Sequence, residues 1–102
     1  MNDLHTLEDA AVIRRMKSGD MGGLENLVER YQVRAVRAAY FITYDEALAQ
    51  DIAQDVFLRL YHSVQRFDEA RPFGPYLMQS VVNASLNSMR HSKKKRLAGG
   101  QP

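Results

Sequence analysis

Apolar residues recur along this chain at three- and four-residue steps and nowhere alternate with a period of two. That spacing predicts helices and no strands. Leu7, Ala10, Ala11, Ile13 and Met16 form a short amphipathic pattern ending near Lys17. Thr6 is its expected N-cap and Asp9 a weak capping-box partner, with residues 1–6 frayed. Ser18-Gly19-Asp20 reads as a turn, and Asp20 as the N-cap of a second helix over residues 21–42. Its stripe is Leu24, Leu27, Val28, Tyr31, Ala35, Ala38, Ala39 and Ile42. Gly22 and Gly23 weaken its first turn by roughly 1 kcal/mol each. Glu29, Arg30, Arg34 and Arg37 occupy the opposite side, most simply a solvated face, with phosphate contact the other reading.

Thr43 or Asp45 caps a third helix reaching residue 64 or 65. Leu48, Ile52, Val56, Leu60 and Val64 step by four, with Ala49, Ala53, Phe57 and Tyr61 beside them. An apolar surface this wide requires a second neighbour within the chain or a partner protein. Residues 67–71 form a loop closed by Pro72. Pro72 and Pro75 are tolerated only just before or within a first helical turn, so a fourth helix runs over residues 73–92. Leu77, Val81 and Ala84 face its core, while Tyr76, Gln79, Asn83 and Asn87 share another face. Residues 97–102 are expected to form a disordered tail. The predicted fold is all-α: a compact bundle of three longer helices plus a short N-terminal one.

Composition changes this picture little. With 102 residues, 45% of them apolar and 25% charged, the chain has room for one small domain. No apolar run approaches the roughly 18 residues of a membrane span, so no membrane insertion is expected. The absence of Cys excludes a disulfide framework or thiolate metal site and fits a reducing cytoplasm. His5, His62 and His91 lack metal-ligand spacing.

Charge is more informative. Residues 1–62 carry seven cations and ten acids, a balance of −3, whereas residues 63–102 carry seven cations and two acids, a balance of +5. Such asymmetry points to two kinds of partner, one of them nucleic acid, or else to a solvated basic tail. No Gly-rich phosphate loop, His pair or nucleophile with a base is present. Asp51 and Asp55, at i and i+4, are the one candidate acid/base pair or half metal site. Without supporting ligands they read better as solvated or partner-facing acids, so neither an enzyme nor a cofactor is expected. Amides on the fourth helix suit base edges. Phe67, Phe73 and Tyr76, interleaved with Arg66, Arg71, Arg90 and Lys93 to Arg96, suit a single strand, whose bases stack while cations hold the backbone. The plainer reading puts Phe73 and Tyr76 in the core and the amides on an ordinary surface.

The order Asp51-Ile-Ala-Gln54-Asp55-Val-Phe57-Leu-Arg-Leu-Tyr61, Arg66-Phe67-Asp68, Arg71-Pro72-Phe73, Tyr76-Leu77 and Asn83 resembles region 2 of bacterial sigma-70 family factors, particularly the extracytoplasmic-function group. The resemblance covers residues 10–96 and makes residues 1–96 a region 2 domain. It implies that Asp51, Gln54, Asp55, Leu58 and Tyr61 dock on the clamp helices of the RNA polymerase β′ subunit. It also implies that the loop from Arg66 through Asp68 and Arg71 to Phe73 accepts a base flipped from the non-template strand of the promoter minus-ten element. Tyr76, Gln79, Ser80, Asn83 and Asn87 would line that base and its neighbours, with Arg90, Lys93, Lys94 and Lys95 along the phosphates. An anti-sigma factor is an expected further partner. The chain departs from the family at Tyr76, often Trp, at Ser80, usually aliphatic, and at Gly74 and Gln79, often basic. The second DNA-binding domain of such factors, region 4, is expected to be missing, the chain being an excised piece or a natural truncation.

Overall fold

The computed structural model describes residues 3–99, with side chains described for residues 7–93. Four helices follow one another: α1 (Asp3–Lys17), α2 (Gly23–Thr43), α3 (Glu46–Ser63) and α4 (Phe73–Gly99), with one 3-10 turn, Val64–Arg66, between the last two. The all-α expectation holds, and no strand occurs among the described residues.

The helix ends differ from expectation in instructive ways. α1 begins at Asp3, so Thr6 lies inside it rather than capping it. α2 begins at Gly23. Asp20 instead accepts the Gly22 N–H at 3.1 Å, closing the turn ahead of the helix. A Cβ at Gly23 would stand 2.8 Å from a Val12 methyl, so the glycine that costs helix propensity is what lets α1 cross closely. Asp45 is the α3 cap, accepting the Leu48 N–H at 3.1 Å. α4 continues past the expected end at Ser92 and takes in residues 97–99, which the sequence assigned to a disordered tail. Lys, Arg, Leu and Ala are strong helix formers, no Pro or Gly intervenes before Gly99, and extending a helix costs far less than starting one. The last residues of that tail, 100–102, lie outside the described residues.

α3 packs against both α2 and α4, which accounts for its wide apolar surface. Ala49, Ile52, Ala53, Val56, Phe57 and Leu60 are all buried within the chain itself. Leu27, Tyr31, Ala35 and Ala39 meet them from α2, and Phe73, Leu77 and Val81 from α4. On α1 the buried line is Asp9, Val12, Ile13 and Met16, whereas Leu7 and Ala11 face outward. A charged residue in the buried line hid this register from the apolar pattern. Asp9 is only 1% exposed and accepts hydrogen bonds from Arg30 Nη1 at 2.5 Å and from the Tyr31 hydroxyl. Arg30, expected on a solvated face, thus ties α2 to α1, with Glu8 as a second partner at 2.8 Å.

Candidate nucleic-acid and protein interfaces

Two surfaces flank α3. On the side toward α2, a groove of about 480 Å³ is lined by Leu24, Val28, Gln32, Val36, Asp51, Gln54, Phe57 and Leu58, among others. Asp51, Gln54, Asp55, Leu58 and Tyr61 are all exposed. Leu58 is 49% exposed although its helix is otherwise well packed. The five residues assigned to a protein-facing surface therefore do reach solvent along one helix. Asp55 is partly neutralised by Arg59 at 2.7 Å, one turn further on. Such an exposed pair is worth only about 0.3–0.5 kcal/mol and yields readily to a better cation.

On the other side, between α3 and α4, lies a cleft of about 460 Å³. Its walls are Val56, Arg59, Leu60, His62, Ser63, Arg66, Tyr76, Leu77 and Ser80. Half-buried Tyr76 is held at three points. Its ring meets that of Phe67 at 4.9 Å between centroids, the Arg71 guanidinium lies 5.1 Å over it, and its carbonyl accepts the Ser80 hydroxyl at 3.1 Å. Asp68 accepts the Ala70 N–H at 2.9 Å and its carbonyl accepts the Arg71 N–H at 2.9 Å. Its carboxylate is thus engaged in shaping the loop's own turn.

Several expected DNA-facing residues are placed differently. Phe73 is 2% exposed and packs edge-on against Tyr31 and Phe67, so it has no face to offer a base and leaves the DNA-facing set. Phe67 is buried too. An apolar ring next to a helix start is worth more in the core than in water, and the loop is short enough to turn both inward. The amides divide. Gln79 donates to Asn83 at 3.1 Å on the exposed face of α4, outside the cleft, while Asn87 lines a separate groove with Asp51, Asp55, Ser88 and His91. Arg90 and Lys93 are exposed on the last turns. Lys94 and Lys95 continue the helix, but their side chains lie outside the described residues. Arg59, His62 and Ser63 were missed as cleft walls. The Asp55–Arg59 spacing marks an ion pair, but nothing in it tells that Arg59 sits over a cleft.

Among the described residues no group of His, Cys, Asp and Glu is placed to hold a metal, and no helix is long and apolar enough to cross a membrane.

The family model described as Sigma-70 region 2 matches residues 27–95, which include the whole cleft and all of the α2-side groove but Leu24. The chain belongs to the sigma-70 family, as a region 2 domain. Its curated relatives place it in the extracytoplasmic-function group. One is the ECF RNA polymerase sigma factor SigW of Bacillus subtilis, 28% identical over 81 residues, covering 79% of this chain and 43% of the relative. Another is the RNA polymerase sigma factor NccH of Alcaligenes xylosoxydans xylosoxydans, 32% identical over 88 residues, covering 86% of this chain and 45% of the relative. The chain thus spans a little under half the length of these relatives. A solved structure similar to it is the NMR structure of an engineered region 2 of sigmaE in complex with GTAAAA. The TM-score is 0.78 and the identity 26%, over 87% of this chain and 92% of that one. The family is one of transcription initiation factors, not enzymes, so Asp51 and Asp55 are not a catalytic pair.

Proposed function

We propose that this domain docks on the clamp helices of the β′ subunit of core RNA polymerase through the exposed face of α3, and captures a flipped non-template base of the minus-ten element in the α3–α4 cleft. The observation that carries the reading is the placement of the two surfaces. Exposed Asp51, Gln54 and Leu58 border one groove, with exposed Asp55 one turn beyond Asp51, and Arg59, Arg66, Tyr76 and Ser80 wall another on the far side of the same helix. Carboxylates with an exposed leucine suit a basic, partly apolar protein surface. A cleft with an aromatic floor, a hydroxyl and two guanidinium groups suits a nucleobase and its phosphates. The similar domain was solved in complex with GTAAAA, which supports this assignment of the cleft.

Extruding a base costs a few kcal/mol, and one stacked, hydrogen-bonded base recovers about that much. The lone domain therefore binds a melted strand weakly and scarcely melts a duplex; polymerase supplies the fixed geometry that makes capture productive. An anti-sigma factor would act by covering the α3 face. The deciding experiment is pull-down of core polymerase followed by crosslinking to a bubble template that carries a photoreactive base at each non-template position in turn. Crosslinks at one minus-ten base, mapping to the Arg66–Ser80 cleft, are expected. Crosslinks spread evenly along the strand would overturn the capture assignment.

A second reading, a helical protein-interaction module without DNA binding, draws on another feature. Tyr40, Phe41 and Tyr44 border a cavity on the outer face of α2, and Phe41 is 72% exposed. Failure to crosslink to any strand would leave that reading standing.

A further inference from the structure

The loop that closes the cleft is gripped by a part of the chain far away in sequence. Lys17, the last residue of α1, is largely covered and donates from Nζ to the Phe67 carbonyl at 2.5 Å. The same ammonium lies 3.4 Å from Glu69, and Arg14, one turn back, reaches Glu69 at 3.4 Å as well. The grip is reciprocal, because Gln65 Nε2 donates to the Lys17 carbonyl at 2.8 Å. These contacts bracket the loop from Gln65 to Glu69. Phe67 in turn packs at a tilt against Tyr76, which lines the cleft. A charge-assisted hydrogen bond that is partly shielded from water is stronger and more directional than an exposed ion pair.

We propose that Lys17 is a positioning residue for base selection. Held between the Phe67 carbonyl and Glu69, its ammonium fixes the loop that sets the Tyr76 ring, and so the shape of the cleft into which a base fits. The inference rests on the reading of that cleft as the base-capturing site. Lys17 touches no base. Its effect passes through the Phe67 backbone and ring to Tyr76, so it acts on which base fits rather than on how strongly the backbone is held. α1, which the family match to residues 27–95 does not include, then becomes part of the specificity apparatus.

The test compares wild type, Lys17→Met and Lys17→Arg on single-stranded hexanucleotides that present each base at each position, with affinity read by fluorescence anisotropy at two salt concentrations. Lys17→Met keeps the stem and removes both the donor and the charge. It is expected to lower the ratio of best to single-base-altered strand by about threefold or more, as found for residues that couple through a packed network. The salt dependence and polymerase pull-down should stay unchanged. Lys17→Arg, which keeps a charged donor, should retain most of the ratio. An unchanged ratio in Lys17→Met, or an equal loss on every strand, would overturn the proposal. If Lys17→Met loses its helical circular dichroism, Glu69→Gln replaces it under the same criteria, since it removes the carboxylate charge that Arg14 and Lys17 share and leaves the Lys17 ammonium held at the Phe67 carbonyl alone. A wild-type protein with no base preference would instead refute the base-capture reading itself, a result distinct from a preference that ignores Lys17.

Discussion

Tyr31, on α2, reaches both α1 and α4. Its hydroxyl donates to buried Asp9 on α1, its ring packs on Phe73 at the start of α4, and Arg34 lies 5.0 Å over it. Burial, reinforced by the hydrogen bond to Asp9 and the nearby carboxylate charge, pushes the Tyr31 phenol from 10.0 up to about 12. The folded state thus favours the protonated phenol. Its contribution to stability is complete below pH 10 and is lost as pH rises through about 12. The resistance of wild type to urea should therefore weaken over that window more than that of Tyr31→Phe; parallel curves would show that Tyr31 does not govern the transition. The same phenol explains Gly74. A Cβ there would lie 2.9 Å from the Tyr31 oxygen. Ala is the better helix former by about 1 kcal/mol, but overpacking against a pinned ring costs about 1–3 kcal/mol. Gly74→Ala should therefore be destabilising by up to about 2 kcal/mol in urea, and should become neutral or stabilising in a Tyr31→Phe background.

At the scale of elements, α3 and α4 each divide their work by face. On α3 the buried residues hold the bundle, whereas Asp51 and Asp55 are exposed and support little of it. Reversing both, Asp51→Lys with Asp55→Lys, should weaken polymerase pull-down by more than about tenfold, as for close charge pairs at an interface, with the helical signal intact. Undiminished pull-down would remove the docking assignment. On α4 the outward amides and the basic end carry different burdens. Asn83→Ala should change base preference in minus-ten strands by about 1–3 kcal/mol at one position; a uniform loss would make Asn83 a backbone contact. Replacing Lys93, Lys94 and Lys95 with Gln should flatten the salt dependence of single-strand binding by a slope of up to about 2. An unaltered slope would make that run a bystander.

The whole molecule measures 52 × 27 × 20 Å with a radius of gyration of 15.5 Å, larger than the roughly 13 Å usual for about 100 residues. The excess fits an α4 of 27 residues, about 40 Å long at 1.5 Å per residue, the longest of the four helices. The helix count, the α3 cap as either Thr43 or Asp45, the start of α4 near Phe73 and the exposed acids of α3 were legible in the sequence. Each follows from local rules: periodicity, capping and the exclusion of Pro from helix interiors. The course of α1 and the fate of Phe73 were not. Both depend on neighbours distant in sequence, Arg30 and Tyr31 for Asp9, and Tyr31 and Phe67 for Phe73. The cleft likewise draws its walls from α3, the 3-10 turn and α4, and its loop is held from α1. The sequence by itself determined four helices, two oppositely charged halves and the family to which they belong, because periodicity, charge and residue order are properties of neighbours along the chain. Only the tertiary structure decided which aromatic rings face a ligand and which fill the core. Burial depends on what packs against a ring, and those partners lie tens of residues away.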